Sequence, residues 1–217
     1  FRSLGLSYDF NIHLESIGFK TPTPIQSETI PHILNSKQDL IAQAQTGTGK
    51  TAAFGLPIIA QIPAHNTSVN TLILTPTREL AIQISAALNI QSRPFKTKLT
   101  AIYGGQSFEP QIRALKQGVD IVIGTPGRVL DMLKKGYLNI KDIQYLVIDE
   151  ADEMLRFGFI EDLEFIFKFS NTNKQTLLFS ATMPNAIVKL AKNYMTDAKQ
   201  ISITPTLKKT DHISQYF

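Results

Sequence analysis

Six short runs of almost unbroken hydrophobicity recur along this chain, at residues 39–43, 70–75, 99–103, 120–124, 145–149 and 175–180. A strand with one wet face alternates apolar and polar residues. These runs do not alternate, so they read as strands of a parallel sheet buried on both faces. A weaker run at 200–203 offers a seventh. The segments between the runs carry helical spacing. Leu80, Ile84 and Leu88 form one stripe, and Ile187, Leu190, Ala191 and Tyr194 form another. Pro126 and Pro184 stand where a first helical turn would begin. Ahead of the first strand, Ser7 is expected to cap a helix bearing Phe10, Leu14 and Ile17. Pro24 is expected to open a second, bearing Ile25, Ile30 and Ile33. Strand, loop and helix repeated in this way predict an α/β doubly wound domain. It has a mostly parallel central sheet, helices on both faces and right-handed crossovers.

Composition fits such a domain. The 217 residues are 43% hydrophobic and 18% charged, enough for a sizeable core. The net charge of +4 is too small to identify a nucleic-acid binder by itself. There is no cysteine, which excludes disulfides, thiol catalysis and cysteine-bound zinc. No apolar run is long enough to cross a membrane as a helix. The chain opens on Phe1 without a signal-peptide pattern, and it reads as a piece cut from a longer protein. Residues 205–217, with Lys208 and Lys209, lack strong periodicity and read as a linker leaving the domain.

The first run leads into Ala44, Gln45, Thr46, Gly47, Thr48, Gly49, Lys50 and Thr51, and then into a helical stretch. That is the context of a phosphate-binding loop. Glycines let backbone N–H groups converge on phosphate oxygens, and the helix N-terminus adds partial positive charge. Lys50 can reach the β- and γ-phosphates, and the Thr51 hydroxyl can ligate Mg²⁺. Ala44 replaces the Gly of the generic pattern. The fifth run ends in Asp149, Glu150, Ala151 and Asp152. A carboxylate at a strand tip can hold the metal, a role that suits Asp149. Glu150 beside it suits the general base that deprotonates water.

Asp149-Glu150-Ala151-Asp152 spells the name of the DEAD-box helicases, and the chain resembles that family throughout. The loop from Ala44 to Thr51 matches the family's own, Ala included. Gly18, Phe19, Lys20, Thr21, Pro22, Thr23, Pro24, Ile25 and Gln26 are similar to its glutamine motif, with Phe1 as the isolated upstream aromatic. The resemblance implies a RecA-like P-loop NTPase domain over residues 37–204, with residues 1–36 as its N-terminal helices. It assigns adenine recognition to the Gln26 carboxamide and base stacking to Phe19. It marks Pro76, Thr77 and Arg78, then Gly104 and Gly105, then Thr125, Pro126, Gly127 and Arg128 as RNA-contacting. Each set follows a strand, so all are expected on one edge of the sheet. Ser180 and Thr182 match a motif expected to couple nucleotide state to the acidic turn through Asp152. Their strand is expected between the loop strand and the Asp149 strand.

The implied activity is ATP-dependent RNA unwinding by a cytoplasmic protein. The implied cofactors are ATP and Mg²⁺. The implied partners are RNA, held by its backbone without regard to sequence, and a second RecA-like domain. The second domain's arginine-bearing motif is not found here, so these residues alone are expected to turn ATP over slowly or not at all. Other classes remain open on the residues. A GTPase would need Asn-Lys-x-Asp, and the nearest string, at Asn173, Lys174, Gln175 and Thr176, lacks the Asp. A kinase of small substrates, a DNA helicase and a non-enzymatic RNA-binding module are the remaining rivals.

Overall fold

The structure, a computed structural model, describes residues 1–63 and 68–203. Residues 204–217, and with them the expected linker, lie outside the described residues. The six hydrophobic runs become β1 (Leu40–Gln43), β2 (Thr71–Leu74), β3 (Leu99–Ile102), β4 (Ile121–Gly124), β5 (Tyr145–Ile148) and β6 (Gln175–Ser180). The weaker run becomes β7 (Lys199–Ser202). The strands form one sheet in the order β3-β4-β2-β5-β6-β1-β7, and every pairing is parallel. The expectation of a mostly parallel sheet is therefore met by a wholly parallel one among the described residues.

Side-chain alternation divides the apolar residues between two layers. Ile73, Val147, Leu177 and Phe179 face helices α1 (Tyr8–Ser16), α2 (Pro24–Asn35), α3 (Lys50–Gln61) and α4 (Arg78–Ser92). Leu72, Leu74, Leu146 and Ile148 face the other side. There they meet α5 (Phe108–Lys116), α6 (Pro126–Lys134), α7 (Ala151–Arg156), α8 (Ile160–Phe169) and α9 (Asn185–Tyr194). With both faces covered, alternation in polarity has no use, which is why the runs read as continuous. Phe10, Leu14, Ile25, Ile30 and Ile33 of the first two helices share one core cluster with the sheet.

The helix starts follow local chemistry. Ser7 Oγ accepts from the Phe10 N–H, as expected of a cap. Pro126 opens α6. Pro184 differs from expectation. It sits one residue earlier, as the N-cap, with ψ 155°, and its carbonyl accepts from the Ile187 and Val188 N–H groups.

Asp39, read as the first residue of a strand, instead ties three segments together from just outside β1. Its Oδ1 accepts from the Thr176 N–H at 2.6 Å and its Oδ2 from the Thr196 N–H at 2.7 Å. Burial pushes its carboxyl up, and these two hydrogen bonds oppose the push. Asp39→Ala would strand the buried Thr176 N–H and release the partly buried Thr196 N–H, and is expected to cost about 1–3 kcal/mol of stability. Urea denaturation of the variant beside the wild-type chain measures it.

Candidate functional site

Because all strands run the same way, every loop that leaves a strand's C-terminal end emerges on one rim. Open α/β sheets bind ligands outside those ends. The strand order splits the rim in two. The β5-β6-β1 half carries the acidic turn, the Ser180 motif and the phosphate loop. The β3-β4-β2 half carries the three segments that contain Arg78, Gly104, Gly105 and Arg128.

The phosphate loop spans from Gln43, the end of β1, to Lys50, the first residue of α3. Ala44 is buried, and its N–H donates to the Ser180 carbonyl. Gln45, Thr46 and Gly47 are exposed, and the Thr48 hydroxyl braces the turn on the Gln45 carbonyl at 2.8 Å. Gly49 has φ +92°, and a Cβ there would lie 2.5 Å from Gln26 Nε2. Glycine takes this backbone without strain and leaves the Gln26 carboxamide in place. Lys50 is 6% exposed, and its Nζ has no hydrogen-bond partner. A buried ammonium without a partner is costly, and it marks where an anion fits. A cleft of about 390 Å³ is lined by Thr46, Gly47, Gly49, Lys50 and Thr51, and also by Asp149 and Glu150. The lysine-bearing loop and the acidic turn therefore face one space.

Asp149 follows the last residue of β5 and is 3% exposed. Burial pushes its carboxyl up to about 6; Lys50 opposes this, and Glu150 adds to it. Its Oδ1 accepts from the Glu150 N–H at 3.0 Å. Glu150 adopts φ 54° and ψ 52°, left-handed backbone that costs a non-glycine residue on the order of 1 kcal/mol. From this conformation it serves as the N-cap of α7. Asp152, Ser180 and Thr182 meet in a closed network. The Thr182 hydroxyl and N–H both donate to Asp152 Oδ2, at 2.8 and 2.9 Å. The Asp152 N–H donates to Ser180 Oγ, and that hydroxyl donates to the Thr182 carbonyl. Burial alone would raise the Asp152 carboxyl, but the hydrogen bonds outweigh it and hold it below its usual range.

Gln26 is buried at the N-terminal turn of α2. Its Oε1 accepts from the Thr23 N–H at 2.9 Å, and its Nε2 donates to the Gly49 carbonyl at 3.1 Å. This ties the glutamine motif directly to the phosphate loop. The carboxamide keeps one N–H and one lone pair for another partner. Phe19 is half-buried and packs edge-on against Phe1, with centroids 5.6 Å apart.

On the other half of the rim, Thr77 caps α4 by accepting from the Leu80 N–H. Pro76 is buried, and Arg78 is exposed with its guanidinium 5.0 Å over the Tyr103 ring. Gly104 and Gly105 are exposed. A Cβ on Gly105, which has φ +76°, would lie 3.6 Å from Arg78. Thr125, Pro126, Gly127 and Arg128 turn from β4 into α6. Arg128 donates to the Gln106 carbonyl at 2.9 Å and lies 4.0 Å over the Phe108 ring.

The sequence model of DEAD/DEAH box helicases matches residues 23–190. The chain belongs to the DEAD/DEAH box helicase family. It is 47% identical over its full length to the DEAD-box ATP-dependent RNA helicase CshA of Bacillus cereus, of which it spans 41%. It is 45% identical to CshA of Geobacillus kaustophilus, of which it spans 46%. This DEAD-box chain thus covers less than half the length of these relatives. Among solved structures it resembles a DEAD box protein from the hyperthermophile Methanococcus jannaschii. The TM-score is 0.90 at 46% identity, over 93% of this chain and 55% of that one. A hypothetical ATP-dependent RNA helicase from Sulfolobus tokodaii matches with TM-score 0.84 at 36% identity, over 91% of this chain and 57% of that one. The fold is accordingly the RecA-like domain of DEAD-box proteins.

Several residues of this DEAD-box site escaped the sequence reading. Leu80, Gln83, Ile84 and Ala87 of α4 wall the cleft beside the phosphate loop. Leu80 and Ile84 were legible only as core positions. Tyr103 and Phe108, which support the two arginines, stand in the segment just after β3 and carried no signal beyond their aromatic character.

The raised Asp149 carboxyl sets a pH dependence. Its folded value of about 6 lies above the ordinary 3.8. The folded form therefore holds the proton more tightly, and Asp149's contribution to stability is present below pH 4 and is lost as pH rises through about 6. The stability difference between wild type and Asp149→Asn is expected to change against the wild type by about 2 kcal/mol from pH 4 to pH 7.5. Urea midpoints across that range measure it.

Proposed function

We propose that this chain is the ATP-binding lobe of an ATP-dependent RNA helicase, working with a second RecA-like lobe. The observation that carries the reading is the buried, unpartnered Lys50 ammonium facing the same cleft as Asp149. Such a cation suits the β- and γ-phosphates of a nucleotide, with the N–H groups of Gln45, Thr46, Gly47, Thr48 and Gly49 around them. Ala44 anchors the loop to Ser180. The Thr51 hydroxyl and the Asp149 carboxylate would hold Mg²⁺, which when bound neutralises phosphate charge. Glu150 accepts the proton of the attacking water. Gln26 reads adenine with the hydrogen-bonding capacity left over from Thr23 and Gly49, and Phe19 supplies an aromatic face for the base.

RNA lies along the β3-β4-β2 half of the rim. Pro76, Thr77, Arg78, Gly104, Gly105, Thr125, Pro126, Gly127 and Arg128 hold its phosphates there, without reading bases. Asp152, Ser180 and Thr182 relay the state of the nucleotide site. Closure of a second lobe onto this rim completes both sites and supplies an arginine finger, worth roughly 10³–10⁵ in rate in comparable enzymes. The reading places the protein in the cytoplasm. Among the described residues no helix is long and apolar enough to cross a membrane.

Calorimetric titration of the 217-residue chain with Mg·ATP tests the reading. Lys50→Ala is expected to weaken ATP binding at least tenfold. Equal affinity in the two chains would overturn the nucleotide site. Lowering pH from 7.5 to 5 is expected to weaken Mg·ATP binding as Asp149 takes up its proton. Glu150→Gln is expected to bind ATP normally and to abolish hydrolysis in a protein that carries both lobes. GTP binding as tight as ATP would sink the role given to Gln26. Fast RNA-stimulated turnover by these 217 residues alone would sink the need for a second lobe.

A further inference from the structure

Both arginines on the RNA half of the rim lie on aromatic rings from the segment that follows β3: Arg78 on Tyr103 and Arg128 on Phe108. The Phe108 ring carries a second cation. Lys135, the residue after α6, places its Nζ 4.2 Å from the same centroid. Arg128 and Lys135 are seven residues apart, and the C-cap Lys135 keeps helical backbone, so the two lie about two turns apart on the same side of α6. The electron-rich ring gathers two charges that would otherwise repel each other.

Among the described residues no acid lies within ion-pairing distance of either cation. The ion pairs among the described residues are Arg2–Glu15 and Arg156–Glu153. Asp131, between the two cations on α6, pairs with neither. Arg128 gives Nη2 to the Gln106 carbonyl, and its buried Nη1 has no partner. Lys134, one residue earlier, lies over Phe165 instead, a ring it shares with Lys168. The Phe108 group is the one continuous with the segments already assigned to RNA.

We propose that Lys135 is a further RNA-phosphate ligand, held beside Arg128 by the ring of Phe108, which acts as a positioning residue. The site takes the phosphate that follows the one bound at the start of α6, so it lengthens the footprint of this lobe along a single strand. A phosphodiester fits because it offers one negative charge per nucleotide to an unpaired cation and needs no base to be read. This rests on the RNA reading above, and the test separates the two.

Binding of a fluorescent ten-nucleotide oligouridylate to the 217-residue chain is measured across a range of KCl concentrations. Each phosphate contact on a single strand contributes about −0.7 to the slope of log K against log salt. Lys135→Ala is expected to reduce the slope by about 0.7. Phe108→Leu removes no charge, yet it is expected to reduce the slope comparably, and Phe108→Tyr to restore it. ATP affinity and melting temperature report that each variant is folded. If Phe108→Leu does not fold, Lys135→Ala decides alone. Arg78→Ala serves as the reference. If it lowers the slope while Lys135→Ala leaves it unchanged, the added site is wrong and the RNA reading stands. A Phe108→Leu chain with the wild-type slope removes the ring from the proposal. If the wild-type chain shows no salt-dependent RNA binding, the added site is wrong, and the same titration on a protein that carries both lobes decides the RNA reading.

Discussion

Strand β6 lies between β1 and β5 and hydrogen-bonds to both, and the chemistry of the rim is built around that insertion. With strands about 4.8 Å apart, it sets the ends of β1 and β5 roughly 10 Å from each other. That gap is the cleft between Lys50 and Asp149. Ser180, the last residue of β6, touches both sides of it. Its carbonyl accepts the Ala44 N–H at the base of the phosphate loop, and its hydroxyl accepts the Asp152 N–H of the acidic turn. A residue larger than serine would press on one side or the other. A residue without a hydroxyl would release the acidic turn.

The cleft is assembled from groups that folding alone would not choose. A buried lysine without a hydrogen-bond partner, a buried aspartate raised to about 6 and a glutamate in left-handed backbone all work against stability. Each is tolerated because the elements beneath it are over-determined. Leu74, Ile148 and Leu178 are fully buried under the rim, and Gly49 is held from below by Gln26. Costly groups on a rigid base are the pattern expected where a protein keeps charges ready for a ligand.

Much of this was legible from residue order. The strands were readable because a sheet covered on both faces leaves unbroken apolar runs. The phosphate loop and acidic turn were readable because their spacing to those runs is local. What escaped notice depends on contacts between distant segments. Asp39 looked like a strand residue, and nothing nearby announces that Thr176 and Thr196 donate to it. Gln26 was readable as a motif, but its bond to Gly49 spans 23 positions. Phe108 looked like an ordinary aromatic at the start of a helix. Its two cations come from α6 and the residue that follows it, beyond an intervening strand. Pro184 was misplaced by one position because a proline at a helix start satisfies the same local geometry on either side of the boundary.

The seam between the two halves of the rim is the pairing of β2 with β5. Leu74 stands opposite Ile148, and the Asp149 N–H donates to the Leu74 carbonyl. The carboxylate at one site and the turn that leads to Arg78 at the other are therefore neighbours across a single row of hydrogen bonds. Close-packed interiors do not absorb small displacements; they pass them on. A displacement on one side of that seam therefore presses on the other, as two doors hung from one post share its tilt.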